Sequence, residues 1–552
     1  MNRTIPVKRR MSLFSAASLA MLFALAITQP NANAQTQPEP EITVPSMVST
    51  GSDAGGMHTR ADATLPSARY GSGINLNQAT VTLEPVDVRS LTLEAEQVGI
   101  NRSVEVSPNM HAQKFVNPDG SQIIVLIIKS TGASGIGVHF RNFDLADGDQ
   151  VYVYGPAADS SVFGPFTSKG PLASGEFWSG TLSGDTAVIE FYARTAESRK
   201  AFQIFEVSHI LSELSSQLRA DQPDFLPCEP DASCYADLDK NAVGRFVFNR
   251  NGGVFVCTGT LLNDLLQDFI PYFLTANHCV ATQAVAQTVE VFWFYQTTAC
   301  NSLVLRRWVQ SPPGANLLAT QSSNDFSLLR LRNNAPSGTI FTGWSPIAQS
   351  IGTSVVGLHH PGPHFPPSIE SRLRRASGSI TSTSFGCPAT GLVNAYKVDW
   401  TLGATEPGSS GSGLWNSSHQ LVGVLSCTSN TCVGFSSYGQ FANFYSQIQR
   451  YLTATTGAPR VTTNPATNIT TSKATLNGSV NPNGLTTTIH FQYGTTTDYG
   501  RTTLTQTRAG NMDRNIAANI EGLNMHTTYH FRIVATNSSG TRMGNDRTFT
   551  TP

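Results

Sequence analysis

Three serines spaced by glycines stand in the run Thr405-Glu406-Pro407-Gly408-Ser409-Ser410-Gly411-Ser412-Gly413-Leu414-Trp415. Such a run is either a slack polar loop or a tight backbone turn that presents one hydroxyl for chemistry. A serine hydroxyl is a poor nucleophile until a base takes its proton and a third group orients that base. The second reading therefore asks for a histidine and a sequestered carboxylate elsewhere in the chain.

His278 is the histidine with a suitable setting. It follows the apolar, strand-like run Phe273-Leu274-Thr275-Ala276-Asn277, and the adjacent Cys279 can tie it down. The acid is Asp325, in Asn324-Asp325-Phe326-Ser327-Leu328-Leu329-Arg330-Leu331. An acid that opens an apolar strand is buried at the strand's start, and once buried it must be paired; an imidazole N–H is a fitting partner. Taken singly, each has a plainer reading, a solvated histidine and a turn aspartate.

These residues must be positioned by a chain of 552 residues, long enough for roughly three or four domains. Apolar residues make up 40% and charged residues 13%, with a formal net charge of -1. No basic block offers the positive face that nucleic acid requires. Residues 1–34 read as an export signal: Lys8, Arg9 and Arg10, then an apolar stretch from Met11 to Ile27, then small residues at Ala32-Asn33-Ala34. The Arg9-Arg10 pair leaves the general and the twin-arginine export routes both open. After cleavage no membrane anchor is expected, and the location is extracellular or periplasmic. Eight cysteines, all between 228 and 432, read as disulfides of one cross-linked domain; no CxxC pair supports a zinc site.

Residues 35–84, rich in Pro, Ser, Thr and Gly, read as a flexible leader. Residues 85–221 alternate short apolar runs, such as 122–128, 150–154 and 186–192, with turns, and read as a small antiparallel β domain. Helical spacing over Ile210–Leu218 predicts a short connecting helix. Residues 222–455 hold the cysteines and the three chemical residues, with a closing helix around Asn443–Leu452. Residues 456–552 carry four strand runs, turn clusters at 481–484 and 537–540, and Tyr529 at a tyrosine-corner position.

The stretches "LTANHC", "NDFSLLRL" and "GSSGSG" occur in the order His, Asp, Ser, which is the chain order of the chymotrypsin-like serine peptidases. Over residues 225–455 the chain resembles that superfamily, and its lysyl-endopeptidase branch most closely, through "CTGTLLN", "YFLTANHC", "EVFWFYQTTAC", "NDFSLLRL" and "TEPGSSGSG". The last segment resembles bacterial fibronectin type III modules through "ATLNGSVNPNG", "IHFQYGTTTDYG" and "TTYHFRIVATNSSGT". These resemblances imply a mainly β protein: a chymotrypsin-like double β-barrel, preceded by a small β-domain pro-region and followed by an immunoglobulin-like sandwich. They settle the serine, because in G-x-S-G the middle serine is the nucleophile, here Ser410. Gly408 lets the backbone turn with no Cβ in the way, so that the N–H groups of Gly408 and Ser410 can bind an oxyanion. His278 is then the base and Asp325 its orienting acid. The expected substrates are proteins or peptides, with no metal or cofactor, in a monomer whose own pro-region silences it until processing near Asp221–Leu226. The resemblance also implies the disulfides Cys257–Cys279, Cys228–Cys432 and Cys234–Cys300; Cys387–Cys427 follows by elimination.

The chain departs from its relatives in several places. Ser409 stands where trypsin-like members carry the acid that receives a freed amino terminus, so other contacts must order the turn. Ala404 stands where trypsin has its pocket acid, and Ser436-Ser437 precede Tyr438-Gly439 where the lysine-specific branch has an Asp. Ser426 follows Gly423-Val424-Leu425 where that branch has a histidine. With Ala404, Thr405, Ser426 and Ser436 as pocket residues, a lysine ammonium would be buried without an anion, and a preference for small or apolar side chains is expected. His359-His360 belongs to an "HHP" run that is not a metal site in the branch. The rival reading is an adhesion or binding protein built on an inactive peptidase fold. An esterase reading fails, because there the histidine follows the serine.

Overall fold

The computed structural model describes residues 44–49, 60, 63–71, 73–78, 80–110, 112–195, 202–211, 228–362, 371–454, 456–510 and 512–552. The export signal, the processing stretch 221–226 and most of the expected connecting helix lie outside these residues; Ile210 itself ends a strand. Among the described residues no helix is long and apolar enough to cross a membrane.

The peptidase-like region is two barrels. The second is closed, in the order Ser354–His359, Arg374–Cys387, Leu392–Leu402, Phe435–Gln440, Leu421–Thr428, Gly413–Asn416. Ile380, Tyr396, Trp400, Leu425 and Tyr438 fill it. In the first, Gly253–Leu262 pairs on one side with Val243–Arg250 and on another with Tyr272–Thr275, which in turn pairs with Phe326–Leu331. Phe246, Phe273, Trp293 and Leu329 fill that interior. The closing helix runs Phe441–Leu452 and buries Phe441, Phe444, Ile448 and Leu452, one face at helical spacing. Phe444 stacks on Phe326 with ring centroids 4.2 Å apart, which anchors the strand that starts after Asp325. Four disulfides, Cys228–Cys432, Cys234–Cys300, Cys257–Cys279 and Cys387–Cys427, pair all the cysteines.

The N-terminal β domain is two sheets over one core. The run Gln122–Ser130 shows why its sequence is continuously apolar. Ile124, Leu126 and Ile128 face the core between the sheets, while Ile123, Val125 and Ile127 face Leu65, Tyr70, Ile74 and Leu76. A strand buried on both faces needs a cover on each, and the segment read as a flexible leader supplies one. Ser67 donates its N–H and hydroxyl to buried Glu190, both at 2.7 Å. Farther upstream, Met47–Val48 pairs with Ile340–Phe341, whose Phe341 packs into the core of the first barrel. The expectation of a slack 35–84 segment is therefore corrected wherever the chain is described: low apolar content hid a few well-placed residues that close two cores.

One sheet of this domain continues the first barrel. Gln97–Val106 pairs with Gly253–Leu262, in register at Ile100 with Gly253 and Gly99 with Val254, and the order runs on through Gln203–Ile210 to Gly135–Arg141. The C-terminal region is a separate two-sheet sandwich around Leu476, Phe491, Phe531 and Ile533. There the Tyr529 hydroxyl accepts the Asn524 N–H at 2.9 Å, which fixes the corner.

Candidate active site

The strand register brings the histidine and the acid together. Thr275 pairs with Ser327, so the end of Tyr272–Thr275 lies beside the start of Phe326–Leu331. His278 is one short turn past the first end, and Asp325 immediately precedes the second. The Asp325 side chain is fully buried. Its Oδ2 accepts from His278 Nδ1 at 2.7 Å and its Oδ1 from the His278 backbone N–H at 2.9 Å. A bond to each carboxylate oxygen fixes both the position of residue 278 and the plane of its ring. Asp325 sits at φ 45, a left-handed conformation that a tight turn imposes and a short polar side chain tolerates. Burial works against the charged form of His278, but the bond to Asp325, its charge, and the charge of Glu96 outweigh it, so the imidazole is raised above its ordinary 6.5. Arg250 caps the same turn by donating to the His278 carbonyl at 2.5 Å.

The serine run comes from the second barrel and docks on the first. Thr258 is the hub: its N–H donates to the Ser410 carbonyl and its hydroxyl to the Gly408 carbonyl, both at 2.9 Å, while its carbonyl accepts the Thr275 hydroxyl at 2.9 Å. Thr258 neighbours Cys257, whose bridge to Cys279 holds the residue beside His278. Gly411, at φ +84, lies so close to the other barrel that a Cβ would stand 2.1 Å from Thr275 Oγ1. Glycine is obligatory there for space as well as for backbone angle. Ser410 is thus held one residue from the barrel junction, and among the described residues its hydroxyl makes no hydrogen bond. The N–H groups of Gly408 and Ser410 likewise have no partner among the described residues. Ser409 and Ser412 are fully buried. The cluster Cys257, His278 and Cys279, with ligand-type atoms within 4.8 Å of one another, is a disulfide beside an imidazole, and its sulfurs are spent on each other.

The four residues read as a specificity pocket separate into two groups. Thr405 and Ser436 share a 2.7 Å hydrogen bond, Ser436 also accepts Trp400 Nε1–H at 2.7 Å, and Ala404 is buried alongside in the chain. Ser426 is elsewhere: its hydroxyl donates to Asp325 Oδ2 at 2.5 Å and shares a 2.6 Å bond with Thr390. Its hydroxyl is thus held by the buried acid, two residues before Thr428, whose own hydroxyl donates to the Thr405 carbonyl at 2.7 Å. Sequence reasoning also missed Thr258; nothing in "CTGTLLN" marks that threonine as the link between barrels. His359 and His360, both buried, bond Ser409 Oγ at 2.8 Å and the Ser371 carbonyl at 3.0 Å.

Two β-barrels with an imidazole–carboxylate pair and a serine turn at their junction define a serine peptidase of the trypsin-like kind. The sequence comparisons support the same class. Residues 226–446 match the family model for the lysyl endopeptidase C-terminal domain. The chain is 29% identical over 364 residues to a lysyl endopeptidase of Pseudomonas aeruginosa, across 60% of this chain and 76% of that protein. It is 26% identical over 318 residues to the secreted RxLR effector protein 73 of Plasmopara viticola, across 54% of this chain and 76% of that one. Among solved structures, a scabies mite inactivated protease paralogue overlaps 39% of this chain and 96% of its own at a TM-score of 0.31 and 15% identity.

Proposed function

We propose that this protein is a secreted serine endopeptidase, made as a proenzyme, that cuts peptide bonds through His278, Asp325 and Ser410. The observation that carries the reading is the buried Asp325 carboxylate bonded to His278 Nδ1 at 2.7 Å, with Ser410 docked on the adjacent strand through Thr258. His278 takes the Ser410 proton as the hydroxyl attacks the carbonyl, and returns it to the leaving amine. Asp325 fixes the imidazole tautomer and stabilises the imidazolium. The amides of Gly408 and Ser410 receive the oxyanion, a role in which one lost donor costs about 10²–10³-fold in rate. Water then repeats the cycle on the acyl-enzyme. Export fits the four disulfides, which persist in oxidising compartments.

The N-terminal β domain acts as the pro-region. Its Glu96 carbonyl takes the Val256 N–H at 2.9 Å, on the strand that leads to the barrel junction. The C-terminal sandwich is a fibronectin type III-like module. The relative's name points to lysine, but Thr405 and Ser436 are neutral and bonded to each other. A preference for small or apolar side chains at the cleaved residue follows. Ser410→Ala tests the mechanism: the variant should be secreted and folded yet inactive, and full activity sensitive to a phosphonate would refute it. Peptide-library profiling tests the preference, and dominant cleavage after lysine would reverse it.

A further inference from the structure

The turn that carries Ser410 is shaped by contacts the triad does not use. Ser409, fully buried, shares a 2.8 Å hydrogen bond with His359 Nδ1. The Glu406 N–H donates to the same hydroxyl oxygen at 3.2 Å. With the hydroxyl hydrogen directed to the imidazole, Nδ1 is the acceptor and the ring proton stands on Nε2. An imidazole accepts at Nδ1 only while neutral. Burial, reinforced by the charge of Arg374, pushes His359 down to about 3, so it is neutral wherever His278 can serve as a base.

His359 ends the strand Ser354–His359, and the residues after it are braced from the other barrel. Arg245, fully buried on Val243–Arg250, donates to the Pro361 carbonyl at 3.2 Å and the Gly362 carbonyl at 2.9 Å. The Gly362 N–H in turn donates to the Pro407 carbonyl at 2.9 Å. Gly408, at φ +92, packs against this strap so closely that a Cβ would stand 2.7 Å from the Gly362 carbonyl oxygen. The strap 359–362 thus grips the nucleophile turn at 407, 408 and 409, on both sides of the Gly408 amide.

We propose that His359 is a positioning residue: by accepting the Ser409 hydroxyl it holds the turn in its oxyanion-binding shape, as a neutral pair in place of an acid and a freed ammonium, with Arg245 bracing the strap that carries it. The proposal rests on the serine-peptidase reading above. It means that removal of the N-terminal domain uncovers a turn already formed, with no new amino terminus needed to shape it.

The test compares processed, secreted enzyme carrying His359→Leu, which removes the acceptor at similar bulk, with His359→Asn, whose side-chain oxygen restores an acceptor near Nδ1. On the best library peptide, H359L should lose about 10²-fold in kcat, the size expected for a misplaced catalytic group, with KM changed by less than about threefold. H359N should regain at least about tenfold of that loss. A folded H359L enzyme with undiminished kcat would overturn the proposal. So would equal losses in both variants with a common fall in Tm, the mark of packing alone. If H359L is not secreted, Ser409→Ala decides, since it deletes only the hydroxyl: a fall in kcat of about tenfold or more at constant KM supports the contact, and an unchanged kcat overturns it. Activity surviving in S410A would strike the serine-peptidase reading itself, whereas an inactive S410A beside a fully active H359L would strike this contact alone.

Discussion

The two flanks of the peptidase domain are both small β modules, yet they are joined to it in opposite ways. The N-terminal domain adds its strand Gln97–Val106 to the first barrel's sheet and packs Val98 and Ile210 against Val247, Val254, Val256 and Phe292. It also inserts Thr181 onto Glu290, whose carboxylate receives the Thr181 N–H at 3.0 Å and its hydroxyl at 2.7 Å. The C-terminal sandwich closes its own core, and Arg460 donates to the Gln267 carbonyl of the peptidase domain at a long 3.4 Å. A continuous sheet with a shared apolar layer makes one cooperative body, while a long polar contact at a surface is worth little. The flank that is chemically integrated is the one whose later removal would change the enzyme.

The largest effect should come from deleting each flank in turn. Made without residues 44–211, the chain must form its first barrel with no partner for the Gly253 end of Gly253–Leu262 and no cover for Val254 and Phe292, which invites aggregation while the barrel is still folding. Active secreted enzyme should then be lost, and should return when the N-terminal domain is supplied as a separate chain. Loss of residues 456–552 should leave specific activity within about twofold, since surface contacts of this kind contribute little. Equal tolerance of both deletions would erase the contrast.

A smaller effect follows from Glu290. It is fully buried, and burial raises it from 4.5 to about 7 despite the bonds from Thr181 and Gln310. Between those values the unfolded chain has given up the proton and the folded one retains it, so stability falls as pH rises from 4.5 to about 7. In unprocessed S410A protein, Glu290→Gln should flatten that decline in Tm, and an identical pH profile in both proteins would show that the junction does not bury this charge. The smallest effect concerns Glu96, whose charge helps raise His278. Glu96→Gln should lower the His278 pKa in unprocessed S410A protein, read by its ring proton shifts in NMR, and an unchanged titration would show that the N-terminal domain does not tune the base.

Much of this arrangement was legible in the sequence. An apolar strand opened by Asp325 and a cysteine-flanked His278 declared themselves because burying an acid or fixing a base leaves a local pattern. The closing helix, expected around Asn443–Leu452, runs Phe441–Leu452. What stayed hidden were contacts between residues far apart in the chain. Ser426 was read as a pocket residue because it stands where the lysine-specific branch has a histidine; only the fold shows its hydroxyl on Asp325. Thr258 carries no local signal, since it acts on a turn from the barrel that its own segment does not form, and His359 carries none because its partner Ser409 lies 50 residues on in the same barrel. The leader misled for a related reason: Leu65, Ile74 and Leu76 are sparse among polar residues, and their value lies in the opposite face of Gln122–Ser130.

The central claim is that a single hydroxyl at the barrel junction is the nucleophile. Processed enzyme treated with diisopropyl fluorophosphate and digested for peptide mass mapping tests it most directly. One phosphoryl adduct on Ser410, none on Ser409 or Ser412, and loss of activity in proportion to labelling is the predicted result. Full activity without an adduct, or inactivation with the label on another residue, would contradict it.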